Sequence, residues 1–275
     1  MTALEVWGDP IAHSLSPALH NAAYARLGWD WTYGRRRVGE ADFARELSAL
    51  SPDIRGLSCT MPLKALVHAA ADERDARAEL TGAANTLLFT DGRRRAFNTD
   101  VGGIIAALED AGLRAPASAR IVGAGATATS ALVALAEWGV GLVDVVARRP
   151  EAVAPLRELG ERLGVTVDGA PLTARGHRPH PLTLATLPGD APIARDVAEG
   201  LAVAGGVLFD VVYGHWPTAL ASAWQAAGLP AHSGEGMLLR QAVLQIRIFA
   251  TGDVLRPLPE EEAVVAVMRR ALVGG

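Results

Sequence analysis

The chain has 275 residues, of which 50% are hydrophobic and 20% are charged, and its formal net charge is −4. This length allows one large domain or two modest ones, and the charge gives no general attraction to nucleic acid or acidic lipid. A single cysteine excludes an internal disulfide, and without a zinc-type cluster, a signal-peptide pattern or an apolar run of about 18 residues we expect a cytoplasmic, metal-free, non-membrane protein.

Short β-rich runs alternate with helical patterns through the first hundred residues. Hydrophobic spacing predicts strands over Leu4–Gly8, Trp31–Arg37 and Ile54–Thr60, and helices over Pro17–Leu27, Leu63–Ala71 and Val101–Ala111. Between the last two helices, Thr86–Phe89 and Arg94–Asn98 flank an Asp-Gly pair, which is the pattern of a β-hairpin.

The alternation becomes more regular from Arg120 onward. Helical segments separate four candidate strands, which are Ile121–Val122, Leu142–Val146, Leu182–Ala185 and Val207–Val211. Strands spaced by helices are typical of right-handed βαβ units and a parallel sheet. With two closing helices over Met237–Phe249 and Glu260–Leu272, the pattern predicts two α/β domains, the last helices returning to the first.

A glycine-rich turn follows the strand that ends at Val122. Gly123 permits a tight turn, Gly125 lets the backbone approach a pyrophosphate, and Ala128 permits close packing of the helix on the strand. Free N–H groups at the helix start would hold the phosphate. The turn therefore predicts a dinucleotide site built from Gly123, Ala124, Gly125, Ala126, Thr127 and Ala128, with a merely structural turn as the alternative.

The end of the next strand predicts which dinucleotide binds. A site for NAD usually places an acidic residue there to hold the ribose 2′-hydroxyl, but this chain has Arg148 and Arg149. Two guanidinium groups suit a 2′-phosphate, which they can bind bidentately. We therefore expect NADP as the cofactor, the alternative being a solvated pair of arginines.

Two hydroxyls, Ser14 and Ser16, precede the first predicted helix. Ser16 before Pro17 is a favourable N-cap, which would explain it structurally, whereas Ser14 has no such explanation. Two hydroxyls beside a helix N-terminus would suit a carboxylate, even without a full positive charge.

Three further polar residues are candidates for chemistry. Pro62 is predicted as the first helical residue, which leaves Lys64 in a first turn, where the helix dipole disfavours a cation and favours release of a proton. An exposed lysine that bends toward solvent is the alternative. Asp100, just before Val101, has a competing explanation as a helix N-cap, and Asn85 has one as a turn residue.

Taken in order, these segments resemble the shikimate dehydrogenase family over nearly the whole chain. The resemblance rests on Ser14-Leu15-Ser16-Pro17, Thr60-Met61-Pro62-Leu63-Lys64, Gly82-Ala83-Ala84-Asn85-Thr86, Asn98-Thr99-Asp100, Gly123-Ala124-Gly125 and Gly234-Glu235-Gly236-Met237-Leu238-Leu239 with Gln241. It implies a substrate domain made of residues 1–100 and 235–275, with a Rossmann-like NADP-binding domain, residues 101–234, between them.

The same resemblance implies an activity and a set of roles. The activity is the NADPH-dependent, reversible reduction of 3-dehydroshikimate to shikimate on the route to chorismate and the aromatic amino acids. Lys64 and Asp100 would form the catalytic pair. Ser14, Ser16 and Tyr213 would hold the substrate carboxylate, and Thr60, Asn85 and Gln241 would join the pair in holding the ring hydroxyls. Thr186 and Gly234 would complete the cofactor site.

Alternatives to this assignment stay open at the level of sequence. A relative acting on quinate or aminoshikimate, most naturally with NAD, is disfavoured by the arginine pair. A catalytically silent NADP-binding sensor is disfavoured because Lys64 and Asp100 are both retained. The chain also departs from the family at Ala147 and Leu184, where asparagine is usual, which bears on the two cofactor loops. Both a monomer and a homodimer are compatible with the sequence.

Overall fold

The computed structural model describes residues 2–173 and 175–273. The strands, in chain order, are β1 (Thr2–Gly8), β2 (Trp31–Arg37), β3 (Ile54–Cys59), β4 (Glu73–Arg74), β5 (Thr86–Thr90), β6 (Arg93–Phe97), β7 (Ser118–Val122), β8 (Leu142–Ala147), β9 (Thr166–Pro171), β10 (Leu182–Ala185), β11 (Val207–Asp210) and β12 (Ala231–His232).

The α-helices, in the same order, are α1 (Ser16–Leu27), α2 (Glu40–Ser48), α3 (Lys64–Ala70), α4 (Ala76–Thr81), α5 (Thr99–Asp110), α6 (Ala126–Trp138), α7 (Ala154–Leu163), α8 (Arg195–Val203), α9 (Ala219–Ala226), α10 (Glu235–Thr251) and α11 (Glu261–Val273). In the described part of the chain, no helix combines the length and the apolar character that crossing a membrane requires.

These elements form two compact units. One unit contains Met1–Gly103 and Leu238–Gly275, and the other contains Ile104–Met237. Each unit has its own six-stranded sheet. The division of the chain into a substrate-binding and a cofactor-binding domain, at residues 100 and 235, remains a prediction from sequence.

The sheet of the first unit is mixed, with the strand order β2-β1-β3-β5-β6-β4. β1 pairs in parallel with both β2 and β3, whereas β5 runs antiparallel to β3 and to β6. β5 and β6 form the predicted hairpin, so this prediction is confirmed. Trp7, Phe43 and Leu57 belong to the core packed against this sheet.

The sheet of the second unit is parallel, with the strand order β12-β11-β10-β7-β8-β9. β8 and β9 follow β7 outward on one side of the sheet. The chain then crosses to the other side of β7, where β10, β11 and β12 follow in order. This doubly wound order is that of dinucleotide-binding folds, which hold ligands where the strand order reverses. The predicted α/β class with a Rossmann-like domain is confirmed.

Candidate active site

Four segments of the first unit meet at one edge of its sheet. β1 and β3 are parallel, so the residues that follow Gly8 and Cys59 leave the sheet side by side. β5 is antiparallel to β3, which places Asn85, just before β5, at the same edge. β6 reverses again and brings the start of α5 there. The topology therefore gathers most of the polar residues selected from the sequence.

Lys64 forms an ion pair with Asp100 at this edge. The Lys64 Nζ donates to the Asp100 Oδ2 over 2.5 Å, and the two side chains are 17% and 6% exposed. Lys64 is the first residue of α3, so its predicted place in the first turn is confirmed. Pro62 is not helical, contrary to expectation, because a turn closed by the Leu63 N–H on the Thr60 carbonyl precedes the helix. A lysine bent into solvent is excluded by this burial.

Asp100 is not the N-cap that sequence spacing suggested. α5 begins one residue before it, at Thr99, and the Asn98 Oδ1 accepts the Asp100 backbone N–H over 3.1 Å in the manner of a cap. The carboxylate of Asp100 is thereby free of the backbone. One oxygen accepts from Lys64, and the other accepts from the Asn85 Nδ2 over 2.8 Å.

Asn85 and Gln241 continue the polar cluster. The Asn85 Oδ1 accepts the Thr99 N–H over 2.9 Å, which ties the loop before β5 to the start of α5. Gln241, on α10, donates from its Nε2 to the Leu238 carbonyl over 2.9 Å, and its Oε1 lies 3.5 Å from the Asn85 Nδ2. A side chain at Gly103 would place its Cβ only 2.7 Å from the Gln241 Cβ, so this glycine permits the close approach of α5 and α10.

The two serines at the start of α1 have roles different from those expected locally. α1 begins at Ser16, and no side chain caps its N-terminus, so the predicted capping role of Ser16 is wrong. Instead the Ser14 Oγ accepts the Ser16 N–H over 3.3 Å. Ser14 therefore has a structural role, which the sequence did not indicate. Ser16 is buried, and its hydroxyl does not cap the helix.

Arg35 is a residue that the sequence analysis missed. It lies on the edge strand β2, and its guanidinium donates to the carbonyl of Ala12 and, over 3.5 Å, to that of Ser14. A full positive charge therefore lies beside the serine loop, where only hydroxyls were expected. The run of arginines in β2 was a signal, but no local pattern linked it to a loop that lies about twenty residues earlier in the chain.

Thr60 follows β3 directly and is half-buried. Its N–H donates to the Trp7 carbonyl over 2.9 Å, which ties it to the end of β1. A Cβ at Gly8 would lie 2.4 Å from the Thr60 Cγ2, so the glycine allows the two segments to touch. Thr60 therefore joins Ser14 and Lys64 at the same edge of the sheet.

The glycine turn of the second unit has the features of a phosphate site. Gly123 has a φ of 118°, and a Cβ there would lie 2.6 Å from the Thr186 Oγ1, so glycine is required. At Gly125 a Cβ would meet nothing within 4 Å, which leaves open space over the turn. α6 begins at Ala126 without a side-chain cap, so its first N–H groups are available to a phosphate. Ala124, Thr127 and the buried Ala128 complete this segment.

Thr186 and the arginine pair lie at the same edge of the second sheet as this turn. β7 and β10 are neighbours at the point where the strand order reverses, and Thr186 follows β10 with its Oγ1 donating to the Val122 carbonyl over 3.1 Å. Arg148 and Arg149 follow β8, the neighbour of β7 on the other side, and both are exposed. The residues present therefore suit a dinucleotide whose phosphates lie on the glycine turn.

Tyr213 and Gly234 also belong to the second unit. Tyr213 follows β11 in a loop held by Asp210, whose carboxylate accepts the Val212 N–H over 3.1 Å and the Thr218 hydroxyl over 2.7 Å. Burial raises the pKa of the Tyr213 phenol, which therefore keeps its proton. Gly234 donates its N–H to the Val212 carbonyl over 2.9 Å, and a Cβ there would lie 2.0 Å from the Val211 oxygen.

Comparison with known proteins gives one consistent picture. Residues 6–87 match the family model of the shikimate dehydrogenase substrate binding domain. The chain is 37% identical over 285 residues to a shikimate dehydrogenase (NADP(+)) of Anaeromyxobacter sp. strain K, covering 96% of this chain and 95% of that protein.

Solved structures extend the similarity to the fold. The crystal structure of Mycobacterium tuberculosis shikimate dehydrogenase shares 40% identity and a TM-score of 0.85, with all of both chains covered. The structure of shikimate 5-dehydrogenase from Thermus thermophilus in complex with NADP(H) and shikimate shares 30% identity and a TM-score of 0.80, covering 98% of this chain and 100% of that one.

Proposed function

This chain belongs to the shikimate dehydrogenase family, and from that premise we propose how it reduces 3-dehydroshikimate reversibly to shikimate with NADPH. The enzyme is an NADP-dependent oxidoreductase acting on a CH–OH group, in keeping with the route to chorismate. The observation that carries the proposed chemistry is the Lys64–Asp100 contact of 2.5 Å at the sheet edge. Reduction of a ketone needs a proton at the oxygen, and Lys64 is the acid available there.

The roles of the pair follow from their contacts. When bound, NADPH supplies the hydride. Lys64 donates a proton from its Nζ to the oxygen of the ring ketone and stabilises the negative charge that develops on it. Asp100 orients the Lys64 ammonium, and Asn85 fixes the second carboxylate oxygen of Asp100 by donating to it. In the reverse direction Lys64 accepts the proton of the shikimate hydroxyl.

We assign the remaining residues of the first unit to substrate binding. Thr60, Asn85 and Gln241 supply polar atoms for the ring hydroxyls close to the catalytic pair. Ser14 and Ser16 supply hydroxyls for the carboxylate, and Arg35 adds positive charge beside the same loop. The family resemblance also assigns Tyr213, in the second unit, to the substrate carboxylate, and its raised pKa keeps it a neutral hydroxyl that can donate a hydrogen bond.

The cofactor residues divide into two groups. Gly123, Ala124, Gly125, Ala126, Thr127 and Ala128 hold the pyrophosphate through backbone N–H groups and an open turn. Arg148 and Arg149 hold the 2′-phosphate, which distinguishes NADP from NAD. Thr186 and Gly234 shape the backbone near the remaining part of the dinucleotide.

An absorbance assay at the reduced-nicotinamide band tests the activity directly. The panel combines shikimate, quinate and aminoshikimate with NADP and with NAD. We expect kcat/KM to be highest for shikimate with NADP, because the arginine pair suits the 2′-phosphate. A preference for quinate or aminoshikimate with NAD would contradict the substrate and cofactor assignment. NADP binding without turnover of any substrate would point to a sensor.

A second prediction concerns the carboxylate. Ser14→Ala should raise KM for shikimate by about tenfold to a hundredfold while changing kcat much less, because a hydrogen bond to a charged group contributes about 1.5–3 kcal/mol. The substrate carboxylate is remote from the reacting carbon, so losing the hydrogen bond from Ser14 affects binding more than turnover. Steady-state kinetics with shikimate varied at saturating NADP measure the effect.

Ser16→Ala separates binding from helix capping. Because Ser16 caps nothing, this substitution should raise KM with little change in the free energy of unfolding. Ser14→Ala should also lose a few tenths to about 1 kcal/mol of stability, because the Ser16 N–H loses its acceptor. If both variants keep the parent KM, the carboxylate binds elsewhere.

The setting and the assembly of the enzyme are part of the proposal. The single cysteine, Cys59, is buried as a free thiol, which is compatible with the reducing cytoplasm that we assign to it. The working assembly is a monomer or a homodimer, and sedimentation at several protein concentrations distinguishes the two.

A further inference from the structure

A chain of buried hydrogen bonds leads from the catalytic pair into the interior of the first unit. Behind Asp100 and Asn85 lie Thr86, Gln245, Ser58 and Tyr33, all of them buried. The four residues come from β5, α10, β3 and β2. The proposed chemistry assigns none of the four a role, although such buried networks are expensive unless every atom is paired.

The donor and acceptor roles are fixed in the hydrogen bonds farthest from the catalytic pair. The Tyr33 hydroxyl donates to the Ser58 Oγ over 2.6 Å, and the Ser58 hydroxyl donates to the Gln245 Oε1 over 2.8 Å. Burial raises the pKa of Tyr33 far above its ordinary value, so its hydroxyl remains a donor at any working pH. The carbonyl oxygen of Gln245 must therefore face Ser58, which leaves its amide nitrogen facing the other way.

That amide nitrogen fixes the donor and acceptor roles in the hydrogen bonds closest to the catalytic pair. The Gln245 Nε2 donates to the Thr86 Oγ1 over 3.1 Å, and the Thr86 hydroxyl donates its one hydrogen to the Asn85 Oδ1 over 2.9 Å. The Asn85 Oδ1 also accepts the Thr99 N–H over 2.9 Å and the Thr99 hydroxyl over 3.1 Å, so three donors point at it. Its Nδ2 is thus turned toward Asp100, where it donates over 2.8 Å.

We infer that Gln245 is a positioning residue, which through Thr86 keeps the amide of Asn85 turned with its N–H toward Asp100. The inference rests on the proposed roles of Asp100 and Lys64. Gln245 lies one helical turn after Gln241 on α10, and its Nε2 also donates to the Asn85 backbone carbonyl over 3.3 Å. Among the described residues, its hydrogen bonds do not include one to Lys64 or Asp100. Its effect reaches Asp100 through three hydrogen bonds, which are Gln245–Thr86, Thr86–Asn85 and Asn85–Asp100.

This role depends on the Thr86 hydroxyl, which has one hydrogen and can donate it to only one acceptor at a time. If residue 245 accepted a hydrogen bond instead of donating one, the Thr86 hydroxyl would turn toward it. The Thr86 and Asn85 oxygens would then face each other across 2.9 Å with no hydrogen between them, which is a repulsive contact. Asn85 would be displaced or would rotate its amide, and Asp100 would lose the donor that holds its second oxygen.

Two substitutions at one position distinguish this role from simple packing. Gln245→Glu keeps the shape but, when ionised, offers only acceptors, whereas Gln245→Met removes both functions and leaves the Thr86 hydrogen free to point at Asn85. We expect kcat at about pH 10 to fall roughly tenfold in Gln245→Glu and only about threefold in Gln245→Met. A packing role predicts the opposite order, since glutamate matches glutamine in shape and methionine does not.

The pH profile of Gln245→Glu supplies an independent readout. Burial raises the pKa of a carboxyl group, and below that pKa the acid can again donate to Thr86. The ratio of its kcat to that of the parent enzyme, taken at each pH from about 6 to 10, should therefore rise as the pH falls. The titratable groups close to position 245 are Tyr33, which stays protonated, and His20, whose pKa burial lowers to about 3 against a smaller opposing effect of its contact with Gln245.

Controls make each outcome decisive. Gln225→Glu makes the same substitution at an exposed site on α9 and should give a constant ratio near one. Thermal unfolding at each pH gives the folded fraction, and Thr86→Ser should retain more turnover than Thr86→Val.

A pH-independent ratio for Gln245→Glu in folded protein overturns the inference. Near-parental turnover in Lys64→Ala would instead overturn the proposed function on which it rests.

Discussion

Lys64→Ala should lower kcat by about 10²–10⁴-fold with shikimate saturating, while NADP affinity stays close to that of the parent enzyme. Lys64 contacts Asp100 at the sheet edge and is the acid of the proposed mechanism, so its removal would take away both the proton and the positive charge that the reduced oxygen needs. Steady-state and single-turnover kinetics measure the loss, and a binding titration with NADP provides the control. Near-parental turnover would remove the mechanism.

The same substitution leaves the buried Asp100 carboxylate with Asn85 as its remaining side-chain partner in the cluster. An uncompensated buried charge is costly, so we expect the free energy of unfolding to fall by roughly 1–3 kcal/mol. Denaturant unfolding must therefore accompany the kinetics. Lys64→Met combined with Asp100→Asn should recover part of that stability without recovering turnover.

Asp100→Asn should also lower kcat, because an amide neither attracts nor orients the Lys64 ammonium as a carboxylate does. Helix capping does not interfere with this test, since the first two N–H groups of α5, those of Thr99 and Asp100, are accepted by the Asn85 and Asn98 side chains rather than by the Asp100 carboxylate. If the two residues act as a unit, the double variant should lose far less than the product of the two single losses. Strictly multiplicative losses would mean that they act separately.

Much of the fold could be predicted from the sequence because its strongest signals are local. The hairpin of β5 and β6 follows from two β-rich runs around Asp91 and Gly92, and Asp91 adopts the positive φ that such a turn requires. The phosphate turn follows from glycine spacing after a strand. The helix α2 was not predicted, because it is short and mostly polar and Phe43 is its one buried residue.

Helix starts were predicted less well, for a consistent physical reason. Ser16 and Asp100 are of the residue types that cap helices, yet each lies inside its helix by one or two residues. Capping preference favours an oxygen near a helix start, but the Ser14 and Asn98 side chains satisfy these N–H groups instead. For Asp100 the capping explanation competed with the catalytic one that the resemblance implied, and a carboxylate that caps nothing is free to hold Lys64.

Residues that act at long range could not be found in this way. Gln245 meets Thr86 across 159 positions of the chain, and Arg35 meets the serine loop across about twenty. Hydrophobic spacing assigns α10 its buried face but does not say which polar groups from β3 and β5 lie opposite. The pairing of β3 with β5 places Ser58 opposite Thr86, and the packing of α10 brings Gln245 within hydrogen-bond distance of both.

Replacing Arg148 and Arg149 together with alanine should weaken NADP binding by tenfold to well over a hundredfold while leaving NAD affinity nearly unchanged. Each charge-assisted contact to the 2′-phosphate contributes on the order of 1.5–3 kcal/mol. Both side chains are exposed after β8, so the substitution removes charge without opening the core. Binding titrations with the two cofactors measure the difference.

The matched control is Arg162→Ala, which removes an exposed arginine from the last turn of α7 in the same unit. It should leave the affinity for both cofactors unchanged, which excludes a general effect of net charge. Salt adds a further test, because an ion contact is screened: NADP affinity of the parent should fall more steeply with ionic strength than that of the double variant. Equal losses for NADP and NAD would mean that the arginines do not read the 2′-phosphate. Cofactor selectivity would then have to come from the backbone around Ala147, where the family usually has asparagine.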